Sequence, residues 1–190
     1  MTEEDEDTTL QDEEYMSVTV IFTDIPNYQA VANTASVFDL MATMNKLWAE
    51  YDLLCQKWKV QRVQTVNDQF LGVSGIPDRC PDHAENAIQF SIALIQMVQN
   101  FCGVNGERLL VRVGLNSGPV TAGIVGGDQW TITGDTVNVS SRMETTSQPM
   151  RIHLTEATYK LVSSMPDLKI EGPEIIDVKG KGPMPTYWIA

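Results

Sequence analysis

The chain has 190 residues, 43% of them hydrophobic, which is enough for one domain with a closed core. Its formal net charge of −12 excludes a surface built to attract nucleic acid or anionic lipid, because that attraction needs a basic face. No apolar run approaches the roughly 18 residues of a bilayer span, and Cys55, Cys80 and Cys102, without CxxC spacing, signal neither a disulfide framework nor a zinc site. The expected setting is a reducing one, the cytoplasm or the cytosolic face of a membrane, with no membrane contact by this segment and no nucleic-acid partner.

Residues 1–16 hold much of the excess acid and read as a solvated, disordered leader or an expression remnant ahead of a domain at 17–190. Residues 17–23 are β-branched and nearly continuous in apolar character, a strand buried on both faces that runs straight into Asp24. Val37, Leu40, Met41, Met44, Leu47, Trp48, Tyr51 and Leu54 recur at helical spacing and predict a long amphipathic helix. Two short β-rich runs at 60–66 and 70–74 flank Asn67-Asp68-Gln69, a hairpin signal that puts Asp68 at the tip. Pro81-Asp82 opens a second helix, with Asp82 as its cap and His83 a surface or capping residue of the first turn rather than a ligand.

Residues 109–115 form another strand, and 118–126 a separate one punctuated by glycines. A short helix over 134–142 follows, then a strand at 152–154 in which His153 is structural, a helix over 156–162 and a β-rich end. Cys55 and Cys102, at helix ends, are packing residues. The order predicts an α+β, ferredoxin-like sandwich whose helices cover one face of a mainly antiparallel sheet.

Two aspartates at the ends of apolar runs, Asp24 and Asp68, are hard-oxygen ligands of the kind that suit Mg²⁺, which takes one or two protein carboxylates and fills its other positions with water and phosphate. Asn138 and Arg142, four residues apart on one helix, can reach a sugar and a phosphate together. That pattern points to displacement at a nucleoside triphosphate.

Four segments then resemble the class III nucleotidyl cyclase catalytic domain, the fold of adenylyl and guanylyl cyclases: Phe22-Thr23-Asp24-Ile25; the hairpin from Val63 to Asp68 leading to Val73-Ser74-Gly75-Ile76-Pro77; Gly134-Asp135-Thr136-Val137-Asn138 with Ser141-Arg142-Met143-Glu144; and Val178-Lys179-Gly180-Lys181-Gly182 with Thr186-Tyr187-Trp188. The resemblance implies a phosphorus–oxygen lyase that makes a 3′,5′-cyclic monophosphate and pyrophosphate. It assigns Asp24 and Asp68 to two Mg²⁺ or Mn²⁺ ions, Asn138 to the ribose, Arg142 to the α-phosphate transition state and Lys179 to the triphosphate. It further assigns phosphate to the backbone N–H groups of Ile25, Asn27 and Tyr28. The active site is implied at the interface of a homodimer, or of a heterodimer with a related cyclase domain, in a protein that can carry an upstream sensor or membrane region.

Base choice in the family rests on the positions of Gln64 and Thr131. Gln offers both a donor and an acceptor, and so does Thr, so both ATP and GTP can be read, with ATP slightly favoured by Thr131. Pro26 removes one N–H from the phosphate cradle. A regulatory subunit that completes a partner's site without turnover of its own is the alternative class.

Overall fold

The computed structural model describes residues 12–189. Its elements are β1 (Glu13–Asp24), α1 (Tyr28–Thr34), α2 (Val37–Lys57), β2 (Val60–Val66), β3 (Gln69–Ser74), α3 (His83–Asn100), β4 (Arg112–Val125), β5 (Gln129–Thr133), α4 (Asp135–Thr145), β6 (Ile152–Thr155), α5 (Glu156–Val162), β7 (Ile170–Val178) and β8 (Gly182–Ile189). One sheet orders its strands β2-β3-β1-β4-β6-β8-β7, with β5 paired to β4 off that path. Every pairing is antiparallel except β4 with β6. The α+β sandwich with a mainly antiparallel sheet is therefore what the chain adopts.

β1 is central in the sheet, between β3 and β4, and is covered by α2 and α3 on one face and α4 on the other, which is why its residues are apolar on both faces: Val18, Val20 and Ile21 are fully buried. The two runs expected as separate strands at 109–115 and 118–126 are one continuous strand, because Ser117 and Gly118 pair with Thr19 and Val18 without a break. β5 and α1 were not expected. The turn into β5 uses Gly126 and Gly127 at φ 66 and 92, the left-handed region that glycine enters without strain.

The helices do not all cover one face. Ile21, Tyr51, Phe70, Phe90 and Leu94 form the core beneath α2 and α3, and Val162 brings α5 to the same side. α4 instead crosses the opposite face, where the hydroxyl of Ser140 donates to the carbonyl of Val20 at 2.9 Å. It can lie that close because Gly114 on β4 has no side chain; a Cβ there would run into the backbone of Met143 and Glu144.

Residues 1–11 of the expected leader lie outside the described residues, but Glu13 to Met16 belong to β1 rather than to a leader. Acidic composition concealed Tyr15, which is buried, while Arg79 stacks 4.6 Å from its ring and pairs with Glu13 at 2.5 Å. Asp82 precedes α3 but makes no side-chain cap hydrogen bond. His83 is not a surface residue: its ring is buried between the hydroxyls of Ser17 and Thr19, each at 2.8 Å, partners that β1 supplies and that local sequence does not reveal. Cys55 is buried as expected, and Cys102 is exposed in the loop after α3. Among the described residues no helix is long and apolar enough to cross a membrane.

His153 is structural as expected, fully buried and stacked on Trp188 with ring centroids 4.0 Å apart. Burial holds both His83 and His153 below their ordinary value of 6.5, so the folded protein keeps them neutral where the unfolded chain takes up protons. By linkage each histidine withdraws stability as pH falls through about 6.5 toward its folded value. Urea unfolding of wild type and His153→Gln at pH 7.5 and 5.5 checks this: wild type should lose stability relative to the variant at the lower pH.

Candidate active site

Asp24 ends β1 and is buried, opposite Arg112 at the start of β4. The Arg112 guanidinium forks onto it, Nε donating to Oδ1 at 2.7 Å and Nη2 to Oδ2 at 2.8 Å. The same Nε donates to Glu144 Oε1 on α4 at 2.8 Å. Burial, aided by the Asp24 charge, pushes the Glu144 carboxyl up to about 7 against the pull of Arg112. Two carboxylates thus share one cation, the arrangement in which one of them holds a proton most readily.

Asp68 sits at the β2–β3 turn beside Asn67, whose φ of 54 suits an Asn. Its carboxyl is raised by burial and by the charge of Asp24, while the N–H of Ile25 pulls the other way. Strand ends far apart in sequence therefore bring Asp24 and Asp68 within each other's field. Each Asp24 oxygen accepts from Arg112 and retains a lone pair, and Asp68 carries charge that Arg112 only partly offsets. These hard oxygens fit Mg²⁺ or Mn²⁺. No group of three or more His, Cys, Asp or Glu suited to a metal occurs among the described residues, so water and substrate oxygens would complete the shell.

The N–H groups expected to cradle phosphate are partly engaged. Tyr28 N–H already donates to the Ile25 carbonyl at 2.9 Å. The side chain of Asn27 fastens this turn to the segment ahead of β4, donating to Arg108 O at 2.8 Å and accepting from Leu110 N at 2.9 Å.

Asn138, Arg142 and Lys179 are brought together, lining a cavity of about 460 Å³ that includes neither Asp24 nor Asp68. The buried face of α4 carries Val139, Ser140, Met143 and Glu144, which leaves Asn138 and Arg142 on its other side. Lys181 lines the same cavity but pairs with Asp135 at 2.6 Å, whereas Lys179 makes no ion pair among the described residues. Gln64 and Thr131 share a second cavity, of about 540 Å³. A β-bulge aims Gln64: the β2–β3 register slips between Arg62 and Gln64, leaving Val63 as the extra residue. Val63 packs in the core of the α4 face, and Gln64 lies opposite Leu71, which packs against that core too. Thr131 faces it from β5 and donates to Gly123 O at 3.4 Å.

A family model described as the adenylate and guanylate cyclase catalytic domain matches residues 10–190. The chain belongs to that family. It is 35% identical over 184 residues to the receptor-type guanylate cyclase gcy-28 of Caenorhabditis elegans, an alignment covering 95% of this chain and 14% of the relative's length. Among solved structures, the catalytic core of a rhodopsin-guanylyl cyclase with converted specificity, in complex with ATPαS, matches with a TM-score of 0.89 and 44% identity, covering 95% of this chain and 98% of that one. The guanylate cyclase domain of RhGC from Catenaria anguillulae, in complex with GTP, matches with a TM-score of 0.87 and 45% identity, covering 94% and 98%. The cyclase-domain fold expected from four short segments therefore holds across nearly the whole chain.

Arg112 and Glu144 were not singled out from sequence. The signals were there: Arg112 is the one charge inside the apolar run at 109–115, and Glu144 follows Ser140 by one turn on the face that α4 buries. Removing the shared cation leaves two carboxylates poorly solvated. Arg112→Met should lower unfolding stability by about 3 kcal/mol in urea titrations, the scale for breaking one side of a largely buried ion pair. Adding Glu144→Gln should restore part of that loss.

Proposed function

We propose that this chain is the catalytic domain of a class III nucleotidyl cyclase, converting a nucleoside triphosphate to its 3′,5′-cyclic monophosphate and pyrophosphate. The observation that carries it is the convergence of Asn138, Arg142 and Lys179, from two distant segments, on one cavity of about 460 Å³. In the reaction the ribose 3′-oxygen attacks the α-phosphorus, the bond from that phosphorus to the bridging oxygen breaks, and the hydroxyl proton passes to solvent. When bound by Asp24 and Asp68, two Mg²⁺ or Mn²⁺ ions acidify the attacking hydroxyl and neutralise the departing pyrophosphate. Asn138 orients the ribose. Arg142 meets charge that grows on the α-phosphoryl oxygens, and Lys179, unpaired with other described residues, holds the triphosphate. The N–H groups of Ile25 and Asn27 are left to the phosphates, since Pro26 has none and that of Tyr28 donates to the Ile25 carbonyl.

The two groups of residues act across a dimer interface, the aspartates of one chain facing Asn138, Arg142 and Lys179 of another, identical or related. The opposed faces of α4 support this: Glu144 turns toward the Asp24 cluster of its own chain, and Asn138 and Arg142 turn away. The chain spans 14% of the first curated relative's length, so a receptor or sensor region elsewhere in the native protein belongs to the same proposal.

ATP is the favoured substrate. The Thr131 proton is directed to Gly123 O, which leaves that oxygen to accept from an adenine 6-amino group while the Gln64 amide donates to N1. GTP is the second reading, favoured by the 45% identity to the guanylate cyclase domain of RhGC, whose structure holds GTP, and by the likeness to the receptor-type guanylate cyclase gcy-28. For guanine the Gln64 carbonyl accepts from N1–H and Thr131 donates to O6. Purified chain with Mn²⁺ and ATP or GTP, assayed for cyclic product, decides between them; product from neither would favour a subunit without turnover.

Arg142→Ala should lower kcat by about two to three decades while KM changes little, as for loss of a donor to transition-state charge. A larger change in KM than in kcat would refute that role. Mixing a chain carrying Asp24→Asn and Asp68→Asn with one carrying Arg142→Ala should restore product formation from two inactive partners, through the one intact site their dimer contains.

A further inference from the structure

Strand β4 turns Gly114, Asn116 and Gly118, every second residue, toward α4. The two glycines let the helix lie close: a Cβ at Gly114 would enter the backbone of Met143 and Glu144, and one at Gly118 would meet Thr136 Oγ1. The side chain between them is a tether. Asn116 Nδ2 donates to the carbonyl of Thr136, in the first turn of α4, at 3.1 Å, and both residues are buried. That carbonyl can only accept, so the NH₂ end of the amide must face it, and Oδ1 is left to accept from Thr155 Oγ1 at 2.7 Å. Thr155 is itself held in place, because it caps α5 by accepting from the N–H of Thr158 at 3.4 Å. The Thr158 hydroxyl carries the chain on through Ser117 and Thr19 to His83, over contacts of 2.9, 2.7 and 2.8 Å. Asn116 is therefore the last member of a buried polar chain that begins on α3 and ends on α4.

The first turn of α4 depends on such a tether. Its N-cap, Gly134, offers no side chain, and among the described residues its only other side-chain tie is the exposed Asp135–Lys181 pair, of a kind that contributes little. Ser140 and Glu144 hold the helix to the sheet only further along. We propose that Asn116 is a positioning residue: its tether on Thr136 fixes the first turn of α4 and so holds Asn138, two residues on, against the ribose. The inference rests on the cyclase reading of the site and names a residue beyond it. A side chain that only stabilised the fold would affect every ligand alike. One that acts through Asn138 affects a ligand with a ribose and spares one without.

Asn116→Leu keeps the size and removes both donor and acceptor; Thr155→Val removes the hydroxyl that orients Asn116, and Thr155→Ser keeps it. Affinities of the full chain for the α,β-methylene analogues of ATP and GTP, which cannot cyclise, and for pyrophosphate are measured by calorimetry with Mn²⁺, alongside steady-state kcat and backbone amide exchange. Asn116→Leu should weaken whichever analogue binds more tightly by about three- to tenfold, the range spanned by one lost neutral hydrogen bond, and leave pyrophosphate unchanged. Its kcat should fall by about ten- to a hundredfold, the cost of misplacing a reacting group by up to about 1 Å. Amide exchange should quicken at residues 137–140 and not in α3. Thr155→Val should show the same pattern at smaller amplitude, and decides alone if Asn116→Leu does not fold; Thr155→Ser should match wild type. In an Asn138→Ala background, Asn116→Leu should weaken the analogue no further. Equal weakening of pyrophosphate, unchanged affinity for both analogues, faster exchange spread evenly over α3 and α4, or additive losses in the double variant would each overturn the proposal. Absence of cyclic product from wild type would refute the cyclase reading instead, and the binding and exchange comparisons would still decide the tether.

Discussion

A single guanidinium, that of Arg112, satisfies the carboxylates of Asp24 and Glu144, and three elements meet where it does so. β1 delivers Asp24, β4 delivers Arg112 directly opposite, and α4 delivers Glu144 from the face of the sheet away from α2 and α3. Burying either acid alone would be costly, and burying both without a shared cation more so. Gly114, two residues along from Arg112, lets α4 approach closely enough for Glu144 to reach in. The position of α4 relative to β1 is thereby coupled to charge neutralisation, and with it the position of Asn138 and Arg142.

The protein is strongly acidic, yet the cavity of Asn138 also holds Arg142, Lys179 and Lys181. Only a local cluster of cations can offset that background for a polyanionic ligand. Asp135 pairs with Lys181, which fastens the β7–β8 turn to the start of α4 and leaves Lys179 without an ion pair among the described residues. Glu144 and Arg142 thus lie on opposite sides of one helix, which is the geometry behind the proposal that two chains share a site.

Much of this was legible in the sequence where one local rule sufficed. Residues 17–23 read as a doubly buried strand because β1 has neighbours on both edges and layers on both faces; Asp68 read as a hairpin tip because Asn67 tolerates a left-handed turn. The misses share a different cause. His83, Arg112 and Glu144 take their meaning from partners between 32 and 88 residues away, which no window of sequence contains. β5 was hidden behind a glycine turn, and Tyr15 behind the acids around it. The packing of α4 on the far face turned on the missing side chain of Gly114, a steric fact that periodicity does not encode.

β4 is long enough to serve two ends of the site with different segments. Its first residues, around Arg112 and Gly114, stand under the aspartates and α4; its last, from Thr121 to Val125, carry the β5 ribbon and Thr131. If Thr131 reads the base as proposed, substitutions in the distal ribbon would alter which purine is preferred without touching Asp24, Asn138 or Arg142. On that proposal the division of labour along one strand would make selectivity separately evolvable from the chemistry.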